Sequence, residues 1–120
     1  MNQYFYRSFT KVLGIVVLAT LGFTGPAQAQ SWPDKPIKLV IPFAAGGTTD
    51  IIGRILAQQM APILGQNVVV ENRGGAGGNI GAEAVARAPA DGYTLLLASG
   101  SMLTVNPYMY KKMSINYAKD

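Results

Sequence analysis

Residues 68–81, VVVENRGGAGGNIG, decide the fold. Three β-branched residues, Val68, Val69 and Val70, favour an extended, buried strand. Glu71, Asn72 and Arg73 end the apolar run. Gly74, Gly75, Gly77 and Gly78 follow, with only Ala76 among them, and make a loop almost free of side chains. Asn79 is a suitable N-cap for an alanine-rich helix over residues 80–88. The order is therefore strand, bare loop, helix start. Such a loop admits a ligand close to the backbone, and the free N–H groups of a first helical turn favour an anion. A glycine turn that binds nothing is the competing account of the same residues.

The kind of anion is narrowed by spacing. A dinucleotide fingerprint needs glycine at its first, third and sixth positions, and the sixth counted from Gly75 is Ile80. The phosphate loop of NTPases ends in Lys followed by Ser or Thr, yet no lysine lies between Lys38 and Lys111. Both nucleotide motifs are thus incomplete. A smaller anion, such as a carboxylate, meets neither objection.

Upstream, residues 31–36 (SWPDKP) form a stiff lead-in through Pro33 and Pro36. A first strand is expected over residues 37–41, where Leu39, Val40 and Ile41 run continuously as in a strand buried on both faces. Pro42 and Phe43 close it. Residues 44–50 (AAGGTTD) then form a second small-residue loop, with Thr48, Thr49 or Asp50 as the cap of a helix over residues 50–64. Ile51, Ile52, Ile55, Leu56, Met60, Ile63 and Leu64 recur at helical spacing, and the expectation is that this stripe packs into the core. Pro62 should bend or shorten the last turn, and Gly65 should end it.

Downstream, Gly81 inside the second helix costs about 1 kcal/mol against Ala, which points to close backbone packing there. Residues 89–92 (PADG) make a turn, and a third strand is expected over residues 93–98. It ends in a third small polar loop, Ser99-Gly100-Ser101. Residues 102–110 read as either a short helix or a loop. Strands alternating with helices and short connections imply an α/β fold with a parallel sheet and right-handed crossovers. All three loops would then lie at the carboxyl edge of the sheet, where open α/β folds hold ligands.

Composition excludes much of catalysis. The 120 residues contain no Cys and no His, which removes disulfides, thiol nucleophiles, imidazole bases and the commonest metal ligand. The six acidic residues are scattered, with no pair spaced for a shared metal or for acid/base work. No catalytic residue, metal site or cofactor is therefore expected. At the N-terminus, Arg7 and Lys11 precede an uncharged, mostly apolar run over residues 12–23, and Ala27-Gln28-Ala29 gives a small-x-small cleavage pattern. The run is short of the roughly 20 residues that span a bilayer. Residues 1–29 are expected to be a cleaved signal peptide and residues 30–120 the mature domain, with no stable membrane insertion after cleavage. Without Arg7 and Lys11, eight basic residues face six acidic ones, a net charge of +2. That is no electrostatic footprint for nucleic acid.

Taken together, these segments resemble the Bug-type, or tripartite tricarboxylate transporter (TctC-like), periplasmic solute-binding proteins. The residues that carry the resemblance are residues 32–37 (WPDKPI), 42–50 (PFAAGGTTD), 69–81 (VVENRGGAGGNIG) and 90–95 (ADGYTL), with Asn106-Pro107 and Tyr110-Lys111-Lys112. Gly74 stands where a proline is common in that family, a departure that loosens the loop without redirecting it. The resemblance implies the parallel-sheet lobe of a type II periplasmic-binding-protein, or Venus-flytrap, fold. It also implies that the chain is an N-terminal portion carrying the first lobe, with the second lobe missing. The implied ligand is a small carboxylate, held between lobes by backbone amides, hydroxyls and water, and the implied partners are the membrane subunits of the tripartite system. Carried over by position, the binding residues are Phe43, Ala45, Gly46, Gly47, Thr48 and Thr49 in the first loop. Gly77, Gly78 and Asn79 come from the second, and Ser99 and Gly100 from the third. Asp50 is expected to serve the helix start, since its charge would repel an anion, and Arg73 is a weaker candidate for pairing with one. The alternatives are an exported nucleotide-binding domain or enzyme using the same loops, or a fragment without function.

Overall fold

The computed structural model describes residues 31–119. The expected signal peptide, its apolar run included, lies outside the described residues. β1 (Ile37–Ile41) is the middle of a three-stranded parallel sheet ordered β2-β1-β3, with β2 spanning Val68–Asn72 and β3 spanning Thr94–Leu96. Leu39 lies opposite Val70 on one side and Leu95 on the other, while Val40 lies opposite Glu71 and Leu96. Successive side chains alternate between faces, and Ile37, Leu39, Val40 and Ile41 are all buried. Each such side chain contributes about 2 kcal/mol by leaving water. The central strand is therefore covered on both faces, as its unbroken apolar run implied.

Two helices make the crossovers. α1 (Thr48–Leu64) joins β1 to β2, and α2 (Asn79–Ala86) joins β2 to β3. α1 runs through Pro62 and stops at Gly65, whose φ of 67° is the left-handed C-terminal turn. Pro62 thus ends nothing by itself; its missing N–H falls in a last turn that closes three residues later.

The apolar stripe of α1 is not what packs on the sheet. The positions of α1 buried against the strands are Asp50, Gly53 and Ala57, whereas Ile51, Ile52 and Ile55 are more than half exposed and Ile63 is 82% exposed. Small side chains let the helix axis come close to the sheet. A Cβ on Gly53 would meet the side chains of Ile41 and Leu97. Hydrophobic spacing found the helix, but the sheet reads its small face.

A tight 3₁₀ turn over Ala76–Gly78 leads into α2, which ends at Ala86, two residues short of the expected end. Gly81, buried, lies where a Cβ would come within 2.8 Å of both the Arg73 carbonyl oxygen and Pro42 Cβ. The glycine suspected of close packing is in close packing. After β3, residues 102–110 resolve into two short helices, α3 (Gly100–Thr104) and α4 (Asn106–Met109). Among the described residues no helix is long and apolar enough to cross a membrane.

Candidate functional site

Each strand ends in one of the three small-residue loops, and parallel pairing puts those ends at one edge of the sheet. After β1, Phe43 is half-buried and Ala44, Ala45, Gly46 and Gly47 are exposed. Gly47 is the residue before α1 and offers no side-chain cap. Thr48 and Thr49 are the first two residues of that helix. Their N–H groups precede its first internal bond, from the Ile51 N–H to the Gly47 carbonyl at 3.0 Å. At the positive end of a 17-residue helix they suit an anion.

Asp50 organises the loop from below. Its side chain is buried, and its Oδ2 accepts from the Gly46 N–H at 2.8 Å and from Arg54 Nε at 3.0 Å. Its Oδ1 accepts from Asn72 Nδ2 at 2.9 Å. These donors hold the carboxyl at a pKa of about 2, below the ordinary 3.8: Arg54 contributes most, then the Gly46 amide, then Asn72, and burial opposes them. Asp50 is therefore ionised and turned inward, the role expected of it. One consequence was not legible in the sequence. The Gly46 N–H is already donated to Asp50, and the Gly47 N–H leans on the Ala44 carbonyl at 3.4 Å.

The second loop is wound in an unusual sense. Gly75, Ala76, Gly77 and Gly78 have φ values of 128°, 47°, 63° and 95°, a left-handed run that only Ala76 enters with a side chain. The Gly78 N–H closes back on the Gly75 carbonyl at 2.9 Å. Asn79 is not the helix cap. Gly78 occupies that place, and Asn79 is the first helical residue, its N–H bonded to the Ala76 carbonyl. A cap needs a free side-chain oxygen, and Asn79 Oδ1 is taken by Asn106 Nδ2 and the Tyr117 hydroxyl, both at 2.7 Å.

In the third loop, Ser99 precedes α3 and its hydroxyl pairs with that of Ser101 at 2.9 Å. Gly100 is the first residue of α3, exposed and with open space about it. Arg73, a candidate partner for an anion, instead pairs with Glu71, which also holds Lys38 at 2.9 Å. Those two cations, Lys38 first, keep the Glu71 carboxyl below its ordinary range.

The loops are stitched to one another. Asn72 Nδ2 also donates to the Phe43 carbonyl at 3.2 Å, and the Arg73 N–H donates to the Ile41 carbonyl at 2.8 Å, which fixes the second loop beside the first. A Cβ on Gly74 would lie 3.5 Å from the backbone of Phe43 and Ala44, the tightness of ordinary contact. Asn106, 6% exposed, donates to the Gly77 carbonyl at 2.9 Å as well as to Asn79, and so fixes the second loop to the segment after the third. A Cβ on Gly78 would press on Met102 of α3, which is fully buried. Clefts also open away from these loops. One of about 440 Å³ opens between α1 and the edge of β2, lined by Arg54, Gln58 and Val69 among others. Another, of about 240 Å³, is an apolar hollow beside Leu96, Leu103 and Ile115. Neither includes a predicted binding residue.

The stitching residues Arg54, Asn72, Asn106 and Tyr117 had no part in the sequence reading of the site. Asp50 and Arg54, four apart on a helix, were the one available signal; Asn72 and Asn106 act over 29 residues of separation. Among the described residues no group of His, Cys, Asp or Glu could hold a metal ion.

Four similarities bear on this arrangement. The family model described as the tripartite tricarboxylate transporter family receptor matches residues 52–120. Protein BugT of Bordetella pertussis is 47% identical over 96 residues, which cover 78% of this chain and 29% of BugT. An R. palustris protein solved with adipate superposes with a TM-score of 0.71 at 40% identity, covering 74% of this chain and 30% of its own. MatC from Rhodopseudomonas palustris, solved with bound malate, gives 0.53 at 45% identity, covering 54% and 22%. The chain thus spans under a third of the length of each of these proteins.

Proposed function

Because this chain belongs to the tripartite tricarboxylate transporter receptor family, we propose that it serves as part of a periplasmic solute-binding protein that captures a small carboxylate for a membrane transporter of the tripartite type. The observation that carries this is the convergence of three stitched, side-chain-poor loops at the carboxyl edge of one parallel sheet, with a helix start facing out of the first. Similar proteins were solved with adipate and with malate, both dicarboxylates, which supports the ligand class. The basic, apolar and small-x-small sequence pattern of residues 1–29 supports export to that compartment.

In this function the protein does no covalent chemistry. Carboxylate oxygens accept hydrogen bonds from the N–H and hydroxyl groups of Thr48 and Thr49, from the Ser99 hydroxyl and from the Asn79 side-chain amide. Ala45, Gly46, Gly47, Gly77, Gly78 and Gly100 keep the surface bare so that the acid can approach the main chain, and Phe43 walls one side. Gly46 and Gly78 act by shape, their N–H groups being donated within the chain. Binding energy then becomes transport when a closed, ligand-bound shape is the one the membrane subunits accept.

Nitrogen-15 NMR of the labelled chain, titrated with adipate and malate, tests this. Saturable shifts of the Thr48, Thr49, Gly77 and Gly100 amides are expected, with no comparable response to a neutral diol of similar length. Unchanged amides at millimolar acid, or shifts confined to the cleft beside β2, refute it.

A further inference from the structure

We propose that Asp50, Arg54 and Asn72 are positioning residues for carboxylate capture: together they lock the first loop to the second in the ligand-ready arrangement before the acid arrives. This rests on the function proposed above.

The three side chains form a closed ring. Arg54 donates through Nε to Asp50 and through a terminal nitrogen to Asn72 Oδ1 at 3.2 Å, and Asn72 Nδ2 completes the circuit to Asp50 Oδ1. Two further bonds run from the ring to the first loop: the Gly46 N–H to Asp50, and Asn72 Nδ2 to the Phe43 carbonyl. Asn72 ends β2, two residues before Gly74 rests on the backbone of Phe43 and Ala44. Movement of either loop therefore breaks bonds made by the other. Charge points the same way. A buried, ionised carboxylate beside an anion site repels the ligand unless a cation offsets it, and Arg54 does so through a planar fork that meets Asp50 and Asn72 at once. A lysine there would keep the charge but bridge only one of them.

Two variants separate this role from stability. Asn72→Ala opens the ring and Arg54→Lys keeps its charge without the fork. If opening lowers the ready population to a tenth, apparent affinity for adipate falls about tenfold. Without ligand, hydrogen exchange at Gly46 should quicken in both variants, and at Gly78, in the other loop, it should quicken as well. A residue that only supports the fold lowers the melting midpoint and leaves the affinity of the folded protein unchanged. Parental affinity in both variants, or faster exchange confined to the first loop, overturns the proposal. Should Asn72→Ala fail to fold, Arg54→Lys decides it alone. If the parent chain binds neither acid, the proposed function falls, and the lock is still judged by Gly78 exchange: faster supports it, unchanged overturns it.

Discussion

Gly81→Ala sets two effects against each other, and the structure says which wins. Alanine is the better helix former, worth about 1 kcal/mol in a helix interior. Its methyl group, however, would lie 2.8 Å from the Arg73 carbonyl oxygen, 2.8 Å from Pro42 Cβ and 2.9 Å from Pro42 Cα. None of these is the loose end of a flexible side chain. The Arg73 backbone is held to Ile41 by its own N–H, and Pro42 is a fully buried ring at the end of the central strand. The upper part of the overpacking range, about 3 kcal/mol, therefore applies. The net expectation is a loss of about 2 kcal/mol, which for a domain of this size is a fall of about 10 °C in the melting midpoint. Urea unfolding followed by circular dichroism measures it, with the slope unchanged if only stability has moved. Gly100→Ala is the matched control, because a Cβ there meets nothing within 4 Å. It should be neutral or slightly stabilising. If Gly81→Ala proves as stable as the parent, α2 does not rest on Pro42 and Arg73, and the junction between the first two loops has room for a methyl group.

Acid should weaken the fold in a defined window. The folded Asp50 carboxyl is depressed to about 2 from 3.8, so its contribution is complete above 3.8 and is lost as pH falls toward 2. Glu71 and Asp91 are lowered too and add to the same limb; the urea midpoint should drop across it, less so in Asp50→Asn, and a midpoint that rises on acidification contradicts the assignment. Ala76→Gly, at a φ of 47°, relieves a left-handed side chain and should raise unfolding stability by about 0.5–1 kcal/mol; a loss would contradict it. Asn106→Ala strips donors from the Gly77 carbonyl and from Asn79 and should cost about 2 kcal/mol in the same assay, with near-wild-type stability refuting the tie between the second loop and α4.

Much of this architecture was legible because it is written locally. An unbroken apolar run at residues 37–41, β-branched residues at 68–70 and glycines placed after each strand specify elements within a few residues of themselves, and alternation of those elements dictates a parallel sheet. What escaped depends on distance. The isoleucines of α1 mark a helix, but which face meets the sheet is set by how near the axes can come, and Gly53 and Ala57 allow the closer approach. Asn79 has the right side chain for a cap, yet Asn106 and Tyr117, 27 and 38 residues away, compete for its oxygen and win. The positions of the loop residues follow from strand direction. Which of their N–H groups are spent internally follows from Asp50 and from the turn geometry, neither visible in spacing alone.

The left-handed winding of residues 75–78 also limits how this surface can be re-tailored. Any residue other than glycine introduced there would strain the main chain whether or not an acid were present. A change of preferred cargo would therefore be cheapest at neighbours with ordinary backbone angles, such as Ala44, Ala45 or Ser101. A library randomised over those three sites should yield altered selectivity far more often than one aimed at the glycines, although the glycines are what first draw the eye.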